Sequence, residues 1–182
     1  MVREEQRRGP RAAIRIVRFA PGERLAISAC LLGETCRYDG ASKASPGVIA
    51  LAADCRRAGV EVVVVCPEVL GGLGVPRPGA HLAGGDGHAA LSGRARVLTA
   101  EQGLDVTAAF LRGAARASEL ARGARLAILK ARSPSCGLGQ TEIDGALAPG
   151  DGVLAALLVQ AGVVCTTDEE LAAGRLQVEC PG

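Results

Sequence analysis

A chain of 182 residues, 48% of them apolar, is long enough to bury a proper core as one domain. Aromatic residues make up only 2% and Trp is absent, so that core has to be built from Ala, Val, Leu and Ile. A formal net charge of +2 gives no electrostatic ground for wrapping a long nucleic acid or coating a membrane surface, and no apolar run approaches the length of a bilayer span.

Residues 1–22 are Arg-rich, carry Pro10 and Pro21, and read as a basic extension with a short strand at 12–17. The charged start lacks an apolar signal core, so the chain is expected in the cytoplasm. Residues 23–182 read as the folded domain. A first strand at 24–28 enters the polar loop from Cys30 to Gly40. Pro46 opens a helix with Val48, Leu51, Ala52, Cys55 and Ala58 at helical spacing, and Gly59 stops it. The second strand, 60–65, holds four consecutive valines. A strand apolar on both faces is expected at the centre of a parallel sheet.

Residues 67–93 are glycine-rich and read as a long loop, with Arg77 between two prolines. A short or edge strand is expected at 95–98. A helix at 105–122 places Val106, Ala109, Phe110, Ala117 and Leu120 on one face, with Gly123 at its end. A third strand at 126–129 empties into Ser133-Pro-Ser-Cys-Gly137. Residues 145–152 read as a turn region, 153–161 as an apolar helix and 163–165 as a fourth strand. Thr167 or Asp168 then caps a last helix over 169–174. This alternation predicts an α/β single domain with a mainly parallel, Rossmann-like sheet covered by helices.

Seven cysteines need an explanation: 30, 36, 55, 66, 136, 165 and 180. An odd count in a reducing compartment argues against a disulfide framework. Cys55 and Cys165 are expected in the core, and Cys180 is expected to be exposed. Cys30, Cys66 and Cys136 each follow a strand, and ligands of open parallel sheets bind beyond the carboxyl ends of the strands. If those strands are neighbours, three thiolates converge, which suits a soft metal or an iron–sulfur cluster. Any one of them alone reads equally as a small core residue, and spacing does not separate cluster from zinc. Cys36 is expected beside the site without being a ligand.

Glu68, directly after Cys66-Pro67, is placed to move a proton or to act as a cap. Ser133 and Ser135 offer hydroxyls near Cys136. Arg37, Tyr38 and Arg77 are candidates for substrate contact, with Asp39 as a salt-bridge partner. His81 and His88 are expected to face solvent or substrate. Gly71-Gly72-Leu73-Gly74 lacks the Lys-Ser/Thr of a phosphate loop. The residues alone leave open a persulfide relay through Cys36 or Cys136, and a zinc- or cluster-binding module that recognises a nucleotide or a partner protein.

Three stretches together carry a resemblance: Ser28-Ala-Cys-Leu-Leu-Gly33 with Cys36-Arg-Tyr-Asp-Gly40; Cys66-Pro-Glu-Val-Leu-Gly-Gly-Leu73 with Pro76-Arg-Pro78; and Ile128-Leu-Lys-Ala-Arg-Ser-Pro-Ser-Cys-Gly137. Over about 25–168 the chain resembles the thiouracil desulfidase family. The resemblance implies a [4Fe–4S] cluster held by Cys30, Cys66 and Cys136 with one open iron, Glu68 as acid–base carboxylate, and Ser133 in proton relay in preference to Ser135. Cys36, Arg37, Tyr38, Arg77 and Ser135 would line the substrate, a small thiolated pyrimidine base or nucleotide. The chain departs from the family at His81, where an acidic residue is usual, and at Gly152-Val153-Leu154.

Overall fold

The computed structural model describes residues 15–181. In chain order the strands are β1 (Arg15–Arg18), β2 (Arg24–Ser28), β3 (Glu61–Val65), β4 (Ala80–Ala83), β5 (Arg96–Thr99), β6 (Ala124–Leu129), β7 (Gln140–Ile143), β8 (Ala146–Pro149), β9 (Val164–Thr167) and β10 (Leu176–Glu179). The helices are α1 (Pro46–Arg57), α2 (Pro67–Leu70), α3 (Gly87–Leu91), α4 (Thr107–Leu120), α5 (Val153–Gln160) and α6 (Asp168–Ala172).

The central sheet has the order β3–β2–β6–β9 and is parallel throughout. Successive side chains of its inner strands serve opposite faces. Leu25, Ile27, Leu126 and Ile128 pack with Val48 and Ala52 of α1. Ala26, Ala127 and Leu129 meet Phe110, Ala114 and Ala117 of α4 and Leu154 and Leu158 of α5. The four large aliphatic residues on the α1 side are fully buried and contribute roughly 1.5–3 kcal/mol each. Alanine on the other side lets two helices approach closely. The architecture is therefore the expected α/β single domain, a parallel sheet flanked by helices.

Several local expectations are corrected. The valine strand β3 lies at an edge of the sheet, with Val62, Val63 and Val64 half-buried and Val65 buried. An apolar run reports that both faces are covered and says nothing about whether both edges are paired. Residues 67–93 hold α2, β4 and α3 in place of a long loop. A second sheet, β5–β4–β7–β8, mixes antiparallel pairs β4/β5 and β7/β8 with a parallel contact of β4 to β7. The turn region at 145–152 is half of the hairpin β7–β8. Its two-residue turn, Asp144-Gly145, has positive φ at both positions, the Asp-Gly geometry that hairpin turns favour. Leu120, expected on the packed face of α4, is largely exposed. Thr167 caps α6 and forms a capping box with Glu170.

Part of the basic extension is described. The strand expected at 12–17 is found as β1, which pairs in parallel with β10, and Phe19 is buried. Residues 12–14 lie outside the described residues. Strand β10 had no counterpart among the expected elements. Cys180, expected to be exposed, is half-buried and disulfide-bonded to Cys55 of α1, with Cα atoms 5.2 Å apart. A separation of 125 residues hides that pairing from local pattern reading. Among the described residues no helix is long and apolar enough to cross a membrane.

One glycine positions the site. A Cβ on Gly113, inside α4, would stand 1.8 Å from the Pro67 carbonyl oxygen. Glycine costs about 1 kcal/mol in a helix interior relative to Ala. Here it lets α2, which carries Glu68, rest directly on the α4 backbone. Gly71 makes a similar approach to the Ala109 carbonyl, so it too serves packing.

Candidate active site

Because β3, β2 and β6 are adjacent and parallel, their carboxyl ends open on one side of the sheet. Cys30 follows β2 in a 3-10 turn, Cys66 sits between β3 and α2, and Cys136 lies in the loop after β6. All three line a single cavity of about 470 Å³, together with Cys36, Glu68, Arg77 and Ser133. Cys30, Cys36 and Cys136 are buried and Cys66 is half-buried; all four are free thiols. The strands are neighbours, as convergence of the three cysteines would need, and the three side chains share one cavity.

The environment resists uncompensated thiolates. Contact with the Cys30 thiol, followed by burial and nearby negative charge, pushes Cys36 up to about 11 despite an opposing bond with Cys66. Cys66 is held far above the ordinary thiol value by its bond to the Cys36 thiol and by burial. Burial pushes Cys136 up to about 12, partly opposed by a hydrogen bond from Ser28. A bound cationic centre would supply the missing compensation. Among the described residues no group of three or more His, Cys, Asp or Glu is arranged to hold a single metal ion. A cluster is larger than an ion and takes its thiolates at wider spacing. Soft sulfur donors from separate loops around one cavity fit that larger group.

Glu68 is held from both sides. Its Oε1 accepts the Ser135 hydroxyl at 2.7 Å. Its Oε2 accepts Arg77 Nε at 2.8 Å and Nη2 at 2.6 Å. Arg77 also donates to the carbonyls of Cys36 at 3.0 Å and Gly74 at 2.9 Å. Arg77, expected at the substrate, lines the cavity and is also engaged within the protein, fixing the carboxylate to the first cysteine loop.

The two serines separate in role. Ser133 lines the cavity, and its Oγ accepts the backbone N–H groups of Ser135 and Cys136, each at 3.2 Å. With its acceptor side occupied, the hydroxyl proton is available to the cavity. Ser135 is buried behind it, on Glu68. The loop is set by main-chain contacts: Gly137 N–H donates to the Ser133 carbonyl at 2.7 Å and Leu154 N–H to the Ser135 carbonyl at 2.8 Å. A Cβ on Gly152 would lie 2.5 Å from the Ser135 carbonyl carbon.

At the mouth, Arg37 pairs with Asp39 at 3.0 Å and lies over the exposed Tyr38 ring, 5.5 Å from its centroid. The Arg37 bond holds the Asp39 carboxyl below the usual range, as expected of a salt-bridge partner. His88 turns away from the cavity, bonding Asp151 at 3.1 Å and Gln160 at 3.2 Å. His81 is half-buried on β4. Neither lines the cavity. Cys165 is buried in the core, as expected.

Two residues escaped sequence reading. Lys130 lines the cavity and binds both Asp168 oxygens, at 3.1 and 2.9 Å. Ser28, the last residue of β2, accepts the Lys130 N–H at 3.1 Å and contacts the Cys136 thiol. Their position at strand ends was the available signal. Neither residue type is distinctive there.

A model of the 2-thiouracil desulfurase family matches residues 25–170. The chain belongs to that family. The matched span includes all four cavity cysteines, Glu68 and both loop serines. The uncharacterized protein YbbK of Bacillus subtilis (strain 168) is 41% identical over 150 residues, covering 80% of this chain and 95% of that one. Among solved structures, the [4Fe–4S]-dependent thiouracil desulfidase TudS is 40% identical, with a TM-score of 0.66 over 83% of this chain and 94% of its own.

Proposed function

We propose that this protein is a non-redox desulfidase that hydrolyses a thiocarbonyl compound, a thiolated pyrimidine base or nucleotide, to its carbonyl counterpart with release of hydrosulfide. The supporting observation is the meeting of Cys30, Cys66 and Cys136 with a doubly anchored carboxylate in one cavity. TudS, 40% identical, is named as [4Fe–4S]-dependent, and the donor set here suits such a cluster. Cys30, Cys66 and Cys136 would hold it. When bound, the cluster supplies a Lewis-acidic iron for the substrate's sulfur.

Glu68 then takes a proton from the water that adds to the thiocarbonyl carbon. Arg77 keeps this carboxylate oriented, and Ser135 gives it a hydroxyl neighbour across which a proton can pass. Ser133 donates its proton to the departing sulfur and recovers one from protonated Glu68 by way of water in the cavity. One water enters, carbon exchanges sulfur for oxygen, and hydrogen sulfide leaves without net electron transfer. Arg37 and Tyr38, at the mouth, meet the part of the substrate remote from sulfur.

The test is anaerobic purification, assay of iron and acid-labile sulfide, and turnover of 2-thiouracil followed by hydrosulfide release. Brown protein with turnover supports the reading. Protein that holds no iron and converts no thiolated pyrimidine overturns it.

A further inference from the structure

The loop that carries Ser133, Ser135 and Cys136 has no helix or strand of its own between β6 and β7, so its place is set by what it is tied to. Residues 150–154 run beside it and supply four main-chain donors: Val153 to the Pro134 carbonyl at 3.0 Å, Leu154 to Ser135 at 2.8 Å, Gly152 to Gly137 at 2.7 Å and Gly150 to Gly139 at 3.2 Å. Among the described residues, one loop N–H answers in the other direction, and it goes to a side chain: Gly139 donates to Asp151 Oδ1 at 2.7 Å. Gly139, with φ +71°, is where the loop turns into β7. The same carboxylate is held from behind. His88 of α3 meets its Oδ2 at 3.1 Å through Nε2, and Gln160 at the end of α5 meets Nδ1 of that ring at 3.2 Å. With the Gln160 amide donating to Nδ1, the ring proton stands on Nε2 and points at Asp151. The Asp151 carbonyl accepts the Gly87 N–H at 2.6 Å, and a Cβ on Gly87 would lie 2.5 Å from the Gly152 carbonyl carbon. Asp151 itself stands outside the cavity, with its side chain 17% accessible.

We propose that Asp151, oriented by His88, is a positioning residue of the desulfidase: its carboxylate fixes the far end of the loop and so sets where the Ser133 hydroxyl and the Cys136 sulfur stand against Glu68. The proposal rests on the function proposed above. Four neutral bonds hold the loop by its carbonyls. The fifth is charge-assisted, roughly twice as strong as a neutral one, and it ties the loop through Asp151 to α3. Gly139 is exposed and His88 is 37% accessible, so water can take both donors when the carboxylate is removed. Loss of Asp151 therefore costs little in folding and instead lets the loop end drift. A misplacement of roughly 1 Å at the reacting groups can cost about 10²-fold in rate. Asp151 touches neither substrate nor cluster, so its effect belongs in kcat and not in KM.

The test compares the full chain with its Asp151→Ala, Asp151→Asn and His88→Ala variants, each loaded anaerobically and matched for iron and sulfide. Turnover of 2-thiouracil gives kcat and KM, visible circular dichroism reports the thiolate surroundings of the cluster, and hydrogen exchange of residues 133–139 is read on the cluster-free chains. Asp151→Ala is expected to lose about ten-fold or more in kcat, with KM changed by less than about two-fold. Its visible circular dichroism should change, and its loop amides should exchange about ten-fold faster. Asp151→Asn keeps an oxygen for the Gly139 N–H and should recover most of the rate, with His88→Ala between. Parental kcat in Asp151→Ala or in His88→Ala would overturn the proposal while leaving the desulfidase reading intact, as would a rate loss that Asp151→Asn does not restore. If Asp151→Ala takes up no cluster, its amide exchange and the His88→Ala rate decide in the same way. A loaded parent that converts no thiolated pyrimidine would defeat both readings.

Discussion

Two arginine–carboxylate pairs face the same cavity under opposite conditions. Arg77–Glu68 lies on the floor, with side chains 7% and 16% accessible; Arg37–Asp39 lies at the mouth, at 25% and 38%. Breaking a buried pair strands a charge away from water, whereas an exposed pair is screened and contributes little. On the proposed mechanism, the floor pair fixes the carboxylate that moves the proton and the mouth pair shapes access.

Substitutions that empty the floor should have the largest effects. Cys136→Ala is expected to lose iron, colour and turnover together, measured as iron content and hydrosulfide release; full activity in a colourless variant would remove the cluster from the mechanism. Glu68→Gln should retain iron and colour yet lose about 10²–10⁴-fold in kcat, the usual contribution of a positioned acid–base group. Arg77→Met leaves Glu68 without its cation and should cost roughly 3–5 kcal/mol in denaturant unfolding, with kcat falling while the cluster spectrum persists. Arg77→Lys should recover stability more than rate, since an ammonium cannot reproduce the guanidinium fork.

The mouth should respond weakly. Asp39→Asn is expected to leave Tm nearly unchanged and to move KM more than kcat. The Asp39 carboxyl titrates below its ordinary value of 3.8 in the folded protein. Its small stabilisation is therefore complete above that value and fades as pH falls through the depressed one. Parent and Asp39→Asn should differ slightly in unfolding at neutral pH, and that difference should close as the pH falls through this acid range. A large separation at neutral pH would erase the contrast between floor and mouth.

The same contrast governs how much the sequence disclosed. Strands β2 and β6 are long apolar runs that end abruptly, and abrupt ends mark the carboxyl edge where the cysteines stand. Strands β4, β7 and β8 are four residues each and partly exposed, too short to show alternation, though Asp144-Gly145 was a usable hairpin signal. The valines of β3 were misplaced because burial on two faces does not report edge pairing. Within the site, the cysteines and Glu68 stood out by motif. The Arg77 bond to the Cys36 carbonyl and the seating of Ser135 on Glu68 span 41 and 67 residues, which no local pattern contains.

The close approach of Gly152 to the loop bearing Ser133, Ser135 and Cys136 bears on how the family could diversify. Where backbone lies against backbone, there is no side chain to trim or enlarge by degrees, so the reaction centre resists gradual redesign. Variation in what is desulfurised is left to the rim, where replacing Arg37 or Tyr38 disturbs no such seam. New specificities should therefore arise by exchanging rim residues around an unchanged interior.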